Sequence, residues 1–190
     1  MTAQPTGHVV WTPDPIRQQL ATHTVEDVLF LPDGAPRVEL RDGAMIVVPP
    51  PTGDHQRIAG LLWRWLLQHS PGEFRPSQAT GVAVSLNTTF EPDLLLADAL
   101  TGSNHYSVAD HVTLVVEIVS PDTRKRDRLE KPAEYAAAGI AHYWRIEQDP
   151  IHVFAYDLVG AHYELAAESD TELVLSAPFD IRLPISDITP

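Results

Sequence analysis

Alternation of apolar and polar residues predicts that much of this chain is β-sheet. Arg37–Arg41 and Ala44–Val48 alternate in this way and flank Asp42-Gly43, a dipeptide typical of tight hairpins. His111–Val119 is the most apolar and β-branched run, which predicts a central strand. Further strands, the last four forming a meander, are predicted at Gly81–Leu86, Pro92–Ala97, His142–Glu147, Ile151–Asp157, His162–Ala167 and Glu172–Ser176.

The connections follow from the residues between these strands. Asn87-Thr88-Thr89 joins two of them, and the polar segment Thr101–Asp110 is expected to be a loop.

Helical spacing of apolar residues and capping residues predict the helices. Pro13–Thr22 forms a short helix, and another begins with a cap at Thr24 and ends before Pro32. Asp54–Ser70 is amphipathic, with Ile58, Leu61, Leu62, Trp65 and Leu66 at helical spacing.

A further helix is predicted from about Asp127 to Ala138, with Gly139 as its C-terminal cap. Pro132 either kinks this helix or begins it at its first turn. The elements together predict an α/β (α+β) protein with a mixed sheet flanked by helices. We expect an N-terminal extension over residues 1–23 and a single domain over residues 24–190.

Composition narrows the chemistry. The chain has no cysteine, which excludes disulfides, thiolate zinc sites and a cysteine nucleophile. A metal site built from carboxylates and histidine favours hard ions such as Mg²⁺ or Mn²⁺. No signal peptide or transmembrane run is recognisable, so a cytoplasmic protein is expected.

The formal net charge of −13 argues against a protein that coats nucleic acid. However, five of the 13 Lys and Arg residues fall in one short segment: Arg124, Lys125, Arg126, Arg128 and Lys131. This segment is either a solvated surface or a phosphate-contacting one, and its place directly after the predicted central strand favours phosphate contact.

Three carboxylates are candidate ligands for a hard ion. Glu39 lies on the first hairpin strand, Asp93 opens a strand after Pro92, and Glu117 lies within the apolar strand. A charge on a strand buried on both faces is costly unless it is paired or bound to a metal. Ordinary roles stay open: an outward hairpin residue for Glu39, turn chemistry for Asp93, and an arginine partner for Glu117.

A second group is Asp127, Lys131 and Tyr135, which a spacing of four places on one helical face. The alternatives are an exposed ion pair, slightly favoured by spacing alone, and a lysine positioned beside a metal site. His55, at the start of the long helix, is more typical of a cap or surface residue than of a ligand. Tyr143-Trp144 is expected in the core rather than as a base-stacking surface.

The order and spacing of these residues resemble the Uma-two family of restriction endonucleases, within the PD-(D/E)XK nuclease superfamily. The resemblance spans roughly residues 24 to 185. It is carried by Val38-Glu39-Leu40, Asp42-Gly43, Pro49-Pro50, His55, Pro92-Asp93, Val116–Pro121, Asp127, Lys131, Tyr135, Gly139 and Tyr143-Trp144.

The resemblance implies a restriction-endonuclease-like core, here with an added N-terminal hairpin and C-terminal meander. It implies that Asp93 and Glu117 bind Mg²⁺ or Mn²⁺ with Glu39 assisting. The lysine that the superfamily places two residues after the Glu is replaced here by Val119, and Lys131 matches the migrated lysine of the family. His55 matches a family histidine. The supporting positions are Gly43, Ser120, Asp127, Tyr135 and Gly139.

The function implied is a metal-dependent DNA endonuclease that hydrolyses phosphodiester bonds. Lys131 would orient or deprotonate the attacking water, or stabilise the phosphate. The alternative is a catalytically silent nuclease-like domain that binds nucleic acid or a protein partner, which the acidic charge and Val119 support. A homodimer is expected because cutting both strands of a duplex benefits from two sites.

Overall fold

The computed structural model describes residues 11–32, 34–98, 106–120 and 126–190, which divide into two compact units. One unit comprises the chain up to Pro50 together with Leu86–Thr88. The other comprises Pro51–Ser85 and Thr89–Pro190. The boundary expected after residue 23 stays a prediction.

The first unit contains two short helices and a hairpin. Helices α1 (Pro15–Leu20) and α2 (Val25–Leu29) begin where polar side chains accept the free N–H groups of their first turns. Asp14 accepts from Ile16 and Arg17, each at 2.9 Å. The predicted hairpin is present as the antiparallel strands β1 (Val38–Arg41) and β2 (Ala44–Val47).

The hairpin turn requires glycine for two separate reasons. Asp42 and Gly43 have φ of 45° and 80°, in the left-handed region that a tight hairpin turn uses. In addition, a Cβ on Gly43 would lie 1.9 Å from the carbonyl oxygen of Ala21. The carbonyl of Gly43 in turn accepts the His23 N–H at 3.0 Å. The turn is therefore held against the segment after α1.

The second unit is built on a six-stranded mixed sheet. Its strands are β3 (Phe74–Gln78), β6 (Leu94–Asp98), β8 (Val112–Ile118), β9 (His142–Gln148), β10 (Ile151–Val159) and β11 (His162–Ser169). Their order is β11-β10-β9-β8-β6-β3. Strand β8 is internal, as predicted for the apolar run, and pairs antiparallel with β6 and parallel with β9. This confirms the mixed sheet.

Four parts of the sequence prediction need correction. Strand β3 was not predicted, because Pro76 interrupts it and proline is tolerated mainly on edge strands. Strand β4 (Gly81–Ser85) is present as predicted. The segment after it, which was expected to be only a connection, contains the short strand β5 (Thr88–Phe90). Strand β7 (Tyr106–Val108) lies in the expected polar loop and pairs parallel with β4. Strand β12 (Glu172–Leu175) leaves the meander and pairs with β13 (Ile181–Pro184).

Helices cover both faces of the six-stranded sheet. Helix α3 (Gly53–His69) packs on the face formed by Leu94, Leu96, Leu114, Val116 and Ile118. On the other face, Leu95 and Val115 pack with residues in and just after helix α4 (Lys131–Ala137). Because alternate residues of β6 and β8 turn to opposite faces and both faces are covered, most residues of the two strands are apolar.

The segment before α4 forms a π-helical turn, Arg126–Glu130, and regular helix begins at Lys131. Pro132 lies in the first turn of α4, so of the two alternatives the helix begins there rather than kinks. The helix ends at Gly139, whose φ of 82° turns the chain away from the helix axis. The last carbonyls are then satisfied by two bonds: Ile140 N–H donates to the Tyr135 carbonyl at 3.1 Å, and Gly139 N–H donates to the Ala136 carbonyl at 3.0 Å.

Apolar side chains of the terminal strands β12 and β13 pack into the core of the second unit. Leu173, Ile181 and Leu183 are buried in the core on the α3 side. Their side chains stabilise the chain itself.

Within the described residues, no helix combines the length and the apolar character needed to cross a membrane.

We expect Gly43→Ala to lower the free energy of unfolding by about 2 kcal/mol or more, because it combines a left-handed φ with a clash against the Ala21 carbonyl. Urea denaturation followed by circular dichroism measures this. Gly60→Ala is the matched control, since a Cβ there meets nothing within 4 Å. Equal denaturation midpoints in the two variants would contradict the role assigned to the turn.

Candidate active site

A buried carboxylate on the central strand organises this site. Glu117 lies on β8 between Val116 and Ile118, and its side chain turns to the α4 face. Lys131 Nζ donates to Glu117 Oε1 at 2.9 Å, and the Tyr135 hydroxyl donates to the same oxygen at 2.7 Å. Both donors come from α4, one turn apart. The helix therefore supplies a charge and a hydrogen bond to the acid beneath it.

Asp127 joins the same cluster from the π-helical turn. Its Oδ1 lies 3.7 Å from Lys131 Nζ, and its backbone carbonyl accepts the hydroxyl of Tyr143 on β9. The predicted common face of Asp127, Lys131 and Tyr135 is confirmed. An exposed ion pair is wrong here, because these three residues and Glu117 are at most 5% exposed.

Asp93 lies at the start of β6, beside the end of β8. The register pairs Leu94 with Val116, so one step outward brings Asp93 opposite Glu117. The Ile118 N–H donates to Asp93 Oδ2 at 2.7 Å. His55 Nε2 lies 3.1 Å from the same oxygen. Asp93 is therefore held in place by the backbone of the central strand and by α3.

His55 is buried rather than at the surface. Its backbone N–H bonds Thr52 Oγ1 in the first turn of α3, while its ring turns inward to Asp93. The expectation of a cap or surface residue is wrong, because the apolar face of α3 carries this position into the interior.

Burial dominates the electrostatics. Removal from water raises the pKa of Glu117 to about 8; Lys131 opposes the rise, and Asp127 and Asp93 add to it. Burial and the neighbouring Glu117 also raise the pKa of Tyr135 well above its ordinary value, so Tyr135 acts as a hydrogen-bond donor. Asp127 and Asp93 are close enough to Glu117 to raise its pKa, and a bound cation would reduce the repulsion among these carboxyl groups.

The carboxylates of Asp93 and Glu117 fit a hard cation. Within the described residues, each carboxylate accepts hydrogen bonds on one oxygen only. Asp93 uses Oδ2, which leaves Oδ1 for a ligand, and Glu117 uses Oε1, which leaves Oε2. No group of three or more His, Asp or Glu in the described part of the chain is arranged to hold a metal ion. Mg²⁺ needs fewer, since one or two carboxylates usually hold it together with waters and substrate phosphates.

Other predicted site residues lie elsewhere or are only partly described. Glu39 is buried on β1 in the first unit, and its assisting role stays a prediction. Ser120 is half-buried just after β8. Of the basic segment, Arg126 is half-buried and Arg128 pairs with Glu147, while Arg124 and Lys125 lie outside the described residues.

The structure adds two residues that the sequence analysis did not assign to the site. Arg145 is the register partner of Glu117 on β9, and Tyr143, correctly expected to be buried, anchors Asp127. The sequence does not reveal that either residue lies near Glu117. Their proximity depends on the parallel pairing of β8 with β9, two strands that α4 separates along the chain. Val119 is buried, with its backbone N–H bonded to the Ile146 carbonyl, so Lys131 supplies the ammonium from the helix instead.

A family model described as "Putative restriction endonuclease", Uma2, matches residues 25–186. The chain belongs to the Uma2 family. This match covers most of the sequence and includes every residue of the cluster around Glu117. None of the curated proteins matches the sequence.

Solved structures support the same fold. One of them is the crystal structure of a "putative nuclease belonging to DUF820" from Anabaena variabilis. It superposes with a TM-score of 0.67 at 21% sequence identity, over 87% of this chain and 96% of that one. The restriction-endonuclease-like core expected from the resemblance is therefore present.

We expect Lys131→Met to lower the free energy of unfolding by about 1–3 kcal/mol at neutral pH, because Glu117 loses a buried hydrogen-bond donor. Its pKa would then rise above 8. Both folded proteins would hold a proton on Glu117 that the unfolded chain releases near pH 4.5, so the stability of both falls as pH rises toward 8. From pH 8 to about pH 10 the stability of the parent should level off, whereas that of the variant should continue to fall.

Urea denaturation across this pH range tests the prediction. The matched control is Lys131→Met combined with Glu117→Gln, which removes the titrating group and should flatten the pH dependence. A Lys131→Met variant as stable as the parent at all pH values would contradict the buried ion pair.

Proposed function

We propose that this Uma2-family protein is a metal-dependent endonuclease that hydrolyses phosphodiester bonds in DNA. The observation that supports it most is the buried Glu117–Lys131–Tyr135 cluster beside Asp93. A buried carboxylate lowers the stability of the fold unless it is compensated. Glu117 keeps one oxygen for a ligand and lies opposite Asp93, which supports a role in binding rather than in packing. Acids whose pKa is shifted by burial and by neighbouring charges are concentrated at functional sites.

Asp93 and Glu117 are the proposed ligands of a divalent ion, Mg²⁺ or Mn²⁺, with Glu39 as a further contact. Such an ion, when bound, lowers the pKa of a coordinated water and offsets charge on the scissile phosphate. His55 and the Ile118 N–H fix the orientation of Asp93. Both groups bind the same oxygen, so they position the carboxylate without occupying its second oxygen.

Lys131 is the proposed catalytic cation. Its Nζ is held by Glu117 at 2.9 Å and lies 3.7 Å from Asp127, which keeps the ammonium beside the proposed ion site. From this place it orients the attacking water or stabilises negative charge on the phosphate. Tyr135 and Asp127 are positioning residues, because they act through Glu117 and Lys131. Ser120, directly beyond the strand, is a supporting residue.

The basic segment is the proposed contact with flanking phosphates, through Arg124, Lys125, Arg126 and Arg128. Phosphate contacts give affinity without sequence choice. The acidic remainder of the chain repels the polyanion elsewhere, so binding is confined to this segment and the site. We extend the proposal to a homodimer, which would supply two sites for the two strands of a duplex.

The proposal is tested by plasmid cleavage with Mg²⁺ or Mn²⁺. We expect nicking by the parent protein that EDTA abolishes, and loss of nicking in Glu117→Gln and Asp93→Asn. Glu172→Gln is the matched control, because it makes the same change at a half-exposed glutamate outside the site. Glu172 lies on β12 and pairs with Arg182. Light scattering of the same protein tests the homodimer.

The plasmid assay distinguishes the nuclease from a catalytically silent domain. Metal-dependent cutting that only the site variants lose would establish the nuclease. Absence of cutting together with absence of divalent-ion binding in titration calorimetry would contradict it and favour a silent nucleic-acid-binding domain. Cutting that Glu117→Gln retains would place the reaction elsewhere.

Lys131→Arg separates catalysis from folding. Arginine keeps the charge that Glu117 needs, but its larger planar guanidinium cannot place a compact point charge where Lys131 Nζ lies. We expect Mn²⁺ binding within about threefold of the parent by calorimetry and a loss of cleavage of about 100-fold or more. Parent-like cleavage by this variant would show that Lys131 is only a counter-charge.

A further inference from the structure

A cavity of about 290 Å³ lies between α4 and the outer strands of the six-stranded sheet. Its lining includes Arg128, Tyr143, Arg145, Tyr156, His162 and Tyr163, and its remaining residues are alanines and one proline. Among the described residues that line it, none is acidic. In a chain of net charge −13, this local absence of carboxylates sets the cavity apart.

Two arginines of the cavity lining share one carboxylate. Arg128 and Arg145 share one carboxylate, Glu147, whose Oε1 lies 2.9 Å from Arg128 and 3.3 Å from Arg145. Two guanidinium groups therefore line the cavity beside one shared carboxylate, while Glu164 and Glu168 lie near His162 and Tyr156. Arginine is the residue best suited to bind a phosphate group, because its planar guanidinium donates two parallel hydrogen bonds.

Aromatic rings supply the other part of the site. Tyr143 stacks on Tyr163 with ring centroids 5.5 Å apart and lies 5.9 Å from Tyr156. The rings of Tyr156 and Tyr163 are half-buried, so each keeps part of its surface open. Flat, partly exposed aromatic surface beside arginine is the combination that binds unpaired bases in single-stranded nucleic acid.

The cavity lies next to the proposed cleavage site on the same sheet face. Arg145 is the register partner of Glu117 across the β8–β9 pair, so their side chains leave the sheet on the same side one strand apart. Tyr143, which lines the cavity, also holds the backbone of Asp127 beside Lys131. A nucleotide in the cavity would therefore lie beside a phosphate at Glu117.

We propose that this cavity binds one unpaired nucleotide adjacent to the cleaved bond. Its base stacks on Tyr156 and Tyr163, and its phosphate pairs with Arg128 and Arg145. This inference rests on the proposed nuclease function and deepens it, because it names single-stranded or locally unpaired nucleic acid as the substrate. A continuous duplex keeps its bases stacked on one another and offers none to the cavity.

The test is fluorescence anisotropy with a labelled oligothymidylate of about ten nucleotides, in EDTA so that no strand is cut. The full-length parent is compared with Tyr156→Phe, Tyr156→Leu and Arg128→Gln. Arg182→Gln is the matched control, an exposed arginine that is ion-paired to a glutamate as Arg128 is. A duplex of the same length and an oligouridylate are measured in parallel; binding of both single strands would show that the cavity accepts either sugar.

We expect Tyr156→Leu to weaken oligothymidylate binding by about 10-fold, whereas Tyr156→Phe, which keeps the ring, stays within about twofold. Arg128→Gln should weaken binding and reduce the slope of log affinity against log salt by about 0.7, the contribution of one phosphate in a single strand. Arg182→Gln should leave affinity and slope unchanged.

Equal affinity of Tyr156→Leu and the parent for the oligothymidylate would overturn the proposal. It would also be overturned if the parent bound the duplex as tightly as the single strand and the variants left duplex binding unchanged. Plasmid cleavage by the parent with Mg²⁺ or Mn²⁺ separates this result from the fate of the nuclease proposal. If Tyr156→Leu weakens oligothymidylate binding while the parent does not cut DNA, the cavity stands and the enzyme falls. If DNA is cut but the cavity variants bind normally, the cavity assignment falls alone.

Discussion

The burial of one carboxylate, Glu117, is the constraint on which the rest of this structure depends. Strand β8 is covered by helices on both faces, so a charge there has no water to solvate it. Lys131 and Tyr135 supply the missing interactions from α4. The position of α4 against the sheet is therefore fixed by an ion pair as well as by packing. Removal of one partner leaves a buried charge, whereas removal of both does not.

The irregular segment before α4 also belongs to this cluster. A π-helical turn over Arg126–Glu130 directly precedes the regular helix, and Asp127 lies within Lys131's reach. π-helical turns inside helices are rare and frequently lie at functional sites. The carbonyl of Asp127 is held by Tyr143 from the neighbouring strand. Helix and sheet thus constrain the ammonium of Lys131 from two sides.

One face of the sheet also connects the proposed chemistry with the proposed substrate. Moving outward from β6, this face carries Asp93, then Glu117, then Arg145, and then the tyrosines of β9, β10 and β11. The charge changes along this path from acidic to basic and aromatic. A cation and a phosphate suit the first part, and a nucleotide suits the second.

The sequence by itself determined the elements whose signals are local. The Asp42-Gly43 hairpin, the capped helices and the apolar strand β8 follow from turn chemistry and periodicity, and the spacing of Asp127, Lys131 and Tyr135 placed them on one face. Only the tertiary structure decided that these residues meet Glu117, that His55 turns inward to Asp93, and that Arg145 lies beside Glu117. The reason is physical: periodicity records which face of an element is apolar, whereas strand order and register depend on pairing between segments that are distant in the chain.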